Sequence, residues 1–256
     1  MMRRSNLSLV HAGAEPDGAG GLAFSRSGGS EGRMDEPIRF YFDYLSPYAY
    51  LAWTQIGALA ARCGRVVEPV PVLFAGLLNA SGGVGPAEMP AKRRYVFLDT
   101  LRTAHVLKVP LLPPPTHPFN PLLALRVSSL PMANDARVRL VDALYAATWA
   151  GGGGVTEPER VAAAASSIGL DGAAMVAAAA SEDAKTRLRR QTDEAIALGT
   201  FGVPTLYVGD EMFWGYDSLP HLERFLRGQL PALSARLQDW RDLPASAIRR
   251  RPGTPS

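Results

Sequence analysis

Residues 40–53 read FYFDYLSPYAYLAW. An aromatic, apolar run ends at Asp43, and Leu45-Ser46-Pro47 opens a segment of different period. With Pro37 and Ile38 the first half reads as a strand over 37–43. The second half reads as a helix over 48–62, because Ala52, Ile56, Leu59 and Cys63 fall on one face of a 3.6-residue turn and Gly64 can end it. Serine favours the N-cap and proline the first helical position, so Ser46-Pro47 suffices as a plain helix start. A helix start is also an anion site, because unpaired N–H groups and the dipole favour negative charge there. A thiolate is such an anion: its pKa falls at a helix N-terminus, and a serine hydroxyl can donate to it.

Working outward, VVEPVPVLF (66–74) reads as a second strand, which its two prolines push to an edge or a bend. A helix is expected over 86–107. VPLLPPPTHPFNP (109–121) is an extended, proline-stiffened loop. Helical patterns follow over 122–130 and 134–149, and Gly151–Gly154 break the run. Three more helices are expected over 157–167, 172–180 and 182–198. The pattern then changes, with strands at 205–208 and 211–214 around a Gly209-Asp210 turn, and a closing helix. Strand–helix–strand, many helices, then strand–strand–helix is the order of an α/β chain with a thioredoxin-like fold interrupted by a large all-helical insertion. The expected divisions are a disordered leader over 1–34, a thioredoxin-like domain over 35–84 and 199–230, a helical insertion over 85–198, and a tail over 231–256 that ends in disorder.

Composition narrows the function. With 256 residues and 47% hydrophobic content the chain can bury a sizeable core. The net charge is +3, and Arg249-Arg250-Arg251 carries part of it, so no broad basic face argues for nucleic acid. No apolar run is as long as a membrane span. The single cysteine, Cys63, excludes an internal disulfide, a CxxC redox pair and a cysteine-cluster metal site. Arg3-Arg4-x-x-Leu7-x-Leu9 has the outline of a twin-arginine signal, but His11, Glu15 and Asp17 interrupt the apolar region that should follow. The folded protein, and the native start with it, is expected near Met34, and the location to be cytoplasmic.

Two further features bear on a site. Gly202-Val203-Pro204-Thr205 places a proline just before a strand. It reads as a cis bond, either as a tight turn or as a way to offer the Val203 backbone to an extended peptide ligand. Trp214-Gly215-Tyr216-Asp217 precedes the last helix. Asp217 or Ser218 can cap that helix; its N-terminus can equally receive a carboxylate while Asp217 receives an amine. A thiolate, a peptide backbone and a terminal amino acid are the parts of glutathione.

The stretches FYFDYLSPYAYLA, GPAEMPAKRRYVFLD and FGVPTLYVGDEMFWGYD resemble 2-hydroxychromene-2-carboxylate isomerases, relatives of kappa-class glutathione transferases in the DsbA-like branch of the thioredoxin superfamily. The resemblance covers roughly residues 36–227. It implies that Ser46 stands where redox relatives carry cysteine and activates the glutathione sulfur, and that Val203, Pro204, Trp214, Gly215, Tyr216 and Asp217 contact glutathione. The implied reaction interconverts 2-hydroxychromene-2-carboxylate and trans-o-hydroxybenzylidenepyruvate, or a related intermediate of aromatic degradation, by reversible thiolate addition that does not consume glutathione. The implied partner is a small aromatic carboxylate, with a homodimer left open. Members often carry Phe-Lys where this chain has Leu78-Asn79, and Arg-Trp where it has Arg102-Thr103. Those positions lie toward the acceptor, so the departures bear on substrate more than on cofactor.

Tyr48, Asn79, Lys92, Arg102 and Asn120 are the candidate substrate contacts. Tyr48 can instead simply pack, and Lys92, Arg93 and Arg94 read as a solvated helix face from which one member, or Arg102, is free to hold a carboxylate. Cys63 reads as a core thiol and His105 as structural or exposed. His117, near Asn120, keeps a pocket role open. Two other functions compete: a kappa-like transferase that conjugates electrophiles and consumes glutathione, and a non-catalytic thioredoxin-like binding module.

Overall fold

Ile38, Phe40 and Phe42 alternate with Arg39 and Tyr41, and this period-two pattern forms β1 (Ile38–Phe42) at the centre of a four-stranded sheet. The computed structural model describes residues 36–231 together with 233, 237, 240, 243 and 244. The leader, the Met34 start and most of the tail lie outside the described residues. Helix α1 (Pro47–Arg62) follows β1, and β2 (Val67–Pro71) returns parallel to it. Next come α2 (Phe74–Ser81), a 3₁₀ turn (Pro86–Glu88), α3 (Pro90–Leu107), α4 (Leu122–Ser129), α5 (Asn134–Trp149), α6 (Pro158–Ser166), α7 (Gly172–Ala179) and α8 (Glu182–Ala197). The chain rejoins the sheet through β3 (Thr205–Val208) and β4 (Glu211–Trp214) and continues through a 3₁₀ turn (Tyr216–Ser218) to α9 (Leu219–Leu226). The strand order is β2-β1-β3-β4, with β3 antiparallel to both neighbours.

The prolines of β2 place it at the edge, as expected. Ile38 N–H donates to Val66 O and Val72 N–H to Phe42 O, so even-numbered residues turn their backbone groups toward β1. Pro69 and Pro71 therefore lack an N–H on the outer side, where no strand needs one. The α5 residue Asn134 takes up the outward Val67 carbonyl with its side-chain amide at 2.8 Å.

Both faces of the sheet are covered. Phe40, Phe42, Trp53, Tyr145 and Tyr44 form an aromatic cluster between β1, α1 and α5, with ring centroids 4.9 to 6.3 Å apart in mostly tilted or edge-on pairs. Leu125, Leu140, Leu144 and Val161 extend this core into the helices of the chain's middle third. On the other face Tyr41 packs with Tyr207, Leu77 of α2 and Ala195 of α8. Cys63 differs from its expected place: it caps the C-terminal end of α1 and is half-buried beside the core. The expected helix over 86–107 is divided, because Met89 is extended (φ −111°, ψ 105°) ahead of Pro90, as a residue before proline prefers. Among the described residues no helix is long and apolar enough to cross a membrane.

Candidate functional site

The site is built on the four-residue link between β1 and α1, Asp43 to Ser46. Asp43 is fully buried, and its two oxygens accept from Leu45 N–H at 3.0 Å and Phe74 N–H at 2.9 Å. One carboxylate thus shapes the link and caps α2, whose own Leu73 supplies no side-chain cap. Burial pushes the Asp43 pKa up to about 6, against the pull of those two donors. Trp149 Nε1–H donates to Tyr44 O at 2.9 Å. His117 Nε2 lies 3.0 Å from Leu45 O; a carbonyl only accepts, so Nε2 carries the proton. Ser46 N–H closes the set by donating to Asp43 O at 3.2 Å. The link therefore has little freedom before Ser46.

Ser46 caps α1. Its Oγ accepts from Ala49 N–H at 3.2 Å and donates to Val203 O at 3.4 Å. Pro47 brings no N–H to the first turn, and Tyr50 N–H already belongs to the regular ladder, donating to Ser46 O at 3.1 Å. The Tyr48 N–H is the first-turn donor left for a ligand. Ser46 is half-buried, so a ligand can reach it.

Val203 comes from the far end of the chain. The Val203–Pro204 bond is cis, as expected from sequence. Gly215 N–H donates to Pro204 O at 2.9 Å, which fastens the Trp214–Asp217 strip to the same loop. Gly202 lies under the Trp214 indole, where a Cβ would stand 2.7 Å from Nε1. Trp214 also meets Phe201 at 4.8 Å between ring centroids, yet stays 52% exposed. Asp217 is exposed in the 3₁₀ turn, and Tyr216 is half-buried. Ser218 makes no side-chain cap on α9; its hydroxyl donates to Gly215 O at 2.8 Å.

In the first turn of α1 the Tyr48 hydroxyl donates to Asp99 Oδ2 of α3 at 2.6 Å. Burial first, then that bond, holds the Tyr48 phenol well above its ordinary pKa, and Asp217 adds to the rise through its charge. The charges of both carboxylates thus act on Tyr48, and Asp99 is the one it bonds. Arg93 donates to His117 O at 2.8 Å and lies over the Phe97 ring, so it is the Arg93 member of the basic run that reaches the proline loop. Lys92 and Arg102 are both exposed on α3. Ten residues put them about 15 Å apart along the axis and roughly 80° around it, so they make no common clamp. Asn79 is exposed near the end of α2. Asn120 Oδ1 accepts from Leu122 N–H at 3.0 Å, a helix-start role that leaves its amide N–H groups to a ligand. Asp43, Asp99 and Trp149 were not singled out from the sequence. Only Asp43, a charge inside an apolar run, carried a local signal.

Among the described residues no group of three or more His, Cys, Asp and Glu is placed to hold a metal ion. The groups brought together suit an extended, anionic thiol peptide. A hydroxyl and a first-turn N–H lie at one helix end, a strand-leading backbone meets that hydroxyl, and an exposed carboxylate stands at the strip's end.

The fold is shared with known proteins. The family model for the DSBA-like thioredoxin domain matches residues 37–227. The 2-hydroxychromene-2-carboxylate isomerase of Sphingobium xenophagum is 30% identical over 195 residues, covering 75% of this chain and 99% of that one. Glutathione S-transferase kappa 2 of Caenorhabditis elegans is 26% identical over 208 residues, covering 74% and 91%. A solved structure of 2-hydroxychromene-2-carboxylate isomerase matches with a TM-score of 0.69 at 30% identity, covering 79% of this chain and 98% of that one.

Proposed function

The chain belongs to the DSBA-like thioredoxin family and, within it, to the 2-hydroxychromene-2-carboxylate isomerases, and on that premise we propose that it is a glutathione-dependent isomerase of a small aromatic carboxylate. The substrate pair is 2-hydroxychromene-2-carboxylate and trans-o-hydroxybenzylidenepyruvate, or a related intermediate of aromatic degradation. The observation that carries the reading is the Ser46 hydroxyl, set at the N-terminus of α1 and 3.4 Å from the Val203 carbonyl.

The residues present fit glutathione. Val203 offers backbone groups at the mouth of β3, and Asp217 and the Trp214–Tyr216 strip lie fastened to the same loop. Bound there, glutathione supplies a nucleophilic sulfur, which the chain itself lacks at this position. Ser46 would hold that sulfur as an anion by donating a hydrogen bond from its hydroxyl, and Tyr48 N–H and the α1 dipole act in the same direction. To donate to the ligand, the hydroxyl turns away from Val203 O, a long bond that is cheap to give up. Asp217 receives the ligand's amine, and Val203 and Pro204 hold its peptide extended.

Tyr48, kept protonated and tied to Asp99, forms the wall over the acceptor. Arg102, Lys92, Asn79 and Asn120 are the residues we assign to the acceptor, with one cation from α3 to hold the substrate carboxylate. Leu78-Asn79 and Arg102-Thr103 replace side chains common in the family, which favours an acceptor related to the named pair rather than identical with it. A kappa-like transferase is the second reading, supported by the similarity to the kappa 2 protein. Incubation with 2-hydroxychromene-2-carboxylate separates the two. Isomer formation with free thiol unchanged supports the isomerase. Thiol loss matching product formation supports the transferase, and no reaction with tight glutathione binding supports a binding module.

A further inference from the structure

We infer that His117 is a positioning residue for Ser46, fixing the peptide that carries the Ser46 N–H through its own Nε2–H. The Leu45 carbonyl and the Ser46 N–H are the two ends of one planar peptide unit. His117 Nε2–H donates to that carbonyl at 3.0 Å, and the Ser46 N–H donates to Asp43 O at 3.2 Å. With both ends held the plane cannot rotate, and its orientation sets where Oγ and the first-turn donors of α1 point.

The ring is itself fixed from several sides. Phe97 of α3 packs edge-on at 5.1 Å, Trp149 of α5 lies at 5.8 Å and Phe119 at 6.3 Å. Trp149 holds the neighbouring Tyr44 carbonyl, so the two rings clamp consecutive peptides of the β1–α1 link. Arg93 grips the His117 carbonyl from outside.

A packing role alone does not account for an imidazole here. Its Nδ1 is buried and finds no partner, a polar atom that a phenylalanine would not bury. What the imidazole has and phenylalanine lacks is the Nε2–H on Leu45 O. Burial and the Arg93 charge both favour the neutral ring, in which Nε2–H is then the only ring N–H.

The inference rests on the proposed role of Ser46, so its test has one arm that needs no glutathione. In the ligand-free chain, amide hydrogen exchange at Ser46 is compared among wild type, His117→Phe, His117→Gln and Phe119→Leu. Removal of the donor in His117→Phe, which keeps an aromatic ring, is expected to speed exchange at Ser46 by about tenfold or more. Gln, whose amide can replace Nε2–H, is expected to restore most of the protection, and Phe119→Leu, which disturbs packing alone, to leave it near wild type. Unchanged exchange in His117→Phe, or equal acceleration in all three variants, overturns the inference. Long-range proton–nitrogen NMR of the wild-type ring is expected to find the proton on Nε2; a proton on Nδ1 alone overturns it too. In the second arm the thiolate absorbance of added glutathione is titrated. His117→Phe is expected to bind glutathione with a higher thiol pKa than wild type, with Gln between them. Equal pKa values in wild type and His117→Phe also overturn it. If wild type binds no glutathione, the proposed function falls, while the exchange arm still decides whether His117 positions Ser46.

Discussion

The Ser46 hydroxyl lies 3.4 Å from the Val203 carbonyl, although 157 positions separate them in the chain. A helix N-cap and a strand-leading loop thus meet at one oxygen, and the β1–α1 link that delivers Ser46 is tied by its own Asp43 and, from elsewhere in the fold, by Trp149 and His117.

That convergence separates the catalytic from the structural worth of Ser46. As an N-cap it holds one bond, Ala49 N–H to Oγ at 3.2 Å, and losing such a cap costs about 1 kcal/mol. As a donor to a developing anion it is worth on the order of 10²-fold in rate. We predict that Ser46→Ala lowers turnover about a hundredfold or more while the melting temperature falls by only a few degrees. Turnover near wild type in a folded mutant removes the hydroxyl from the mechanism.

Gly215 tests the strip that leads to Asp217. Its φ is +90°, in the region that L side chains avoid, and a Cβ there would stand 2.4 Å from Asp217 Oδ1. Its N–H also holds Pro204 O at 2.9 Å. Gly215→Ala is expected to cost on the order of 1–3 kcal/mol of stability. It should also weaken glutathione binding at temperatures where the mutant is folded, because Asp217 and the Val203 loop both shift. Calorimetric titration of the folded mutant measures this, and an unchanged dissociation constant would detach the strip from the ligand.

Asp43 gives the chain a dependence on pH of definite sign. In the folded chain its pKa is about 6, against an ordinary 3.8. Between those values the folded state holds more protons than the unfolded one, so stability falls as pH rises from about 4 to 6. The raised pKa corresponds to about 3 kcal/mol at 1.36 kcal/mol per unit. Glu223, held near 2 by Arg62 and Arg227, acts oppositely but at lower pH, losing its contribution as pH falls from about 4 toward 2. Asp43→Asn is expected to cost stability throughout, since an amide cannot accept at both ends from Leu45 and Phe74. It should also flatten the slope between pH 4 and 6. Denaturant unfolding at several pH values compares the slopes, and identical slopes in the two proteins would exclude Asp43 as their source.

Much of this arrangement was legible because its signals are local. Ser46-Pro47 is a capped helix start, β2 announces its edge position through Pro69 and Pro71, and Val203-Pro204 sits where a turn meets a strand. The signals that failed are those made at a distance. Phe74, the first residue of helix α2, reads as the end of a strand and no local pattern marks the rest, because Leu73 offers no cap and Asp43 and Thr192 supply the acceptors from 31 and 119 residues away. Trp149 and His117 reach the Ser46 link from 105 and 72 residues away, and no period or motif marks such pairings. Tyr48 was read as pocket or packing, and only the fold supplies Asp99, 51 residues on, as its partner.

The anion site itself has a direct measure in the thiol pKa of bound glutathione, which should lie well below the reference of about 8.5 for a free cysteine. The N-terminus of α1 presents the Tyr48 N–H and the positive end of a sixteen-residue dipole. The Ser46 hydroxyl adds a donor once it releases Val203 O. Buried Asp43, ionised above about pH 6, opposes the shift, but two backbone N–H groups face its charge and spread it away from the pocket. Only the thiolate gains from the dipole and the donated bond, so the net displacement is downward. Near-ultraviolet thiolate absorbance, titrated with and without protein, reads it. The Ser46→Ala protein should bind glutathione with its pKa moved back toward the free value. An unshifted pKa in wild type, with binding shown independently by calorimetry, would place the sulfur away from α1 and favour the binding module over either enzyme.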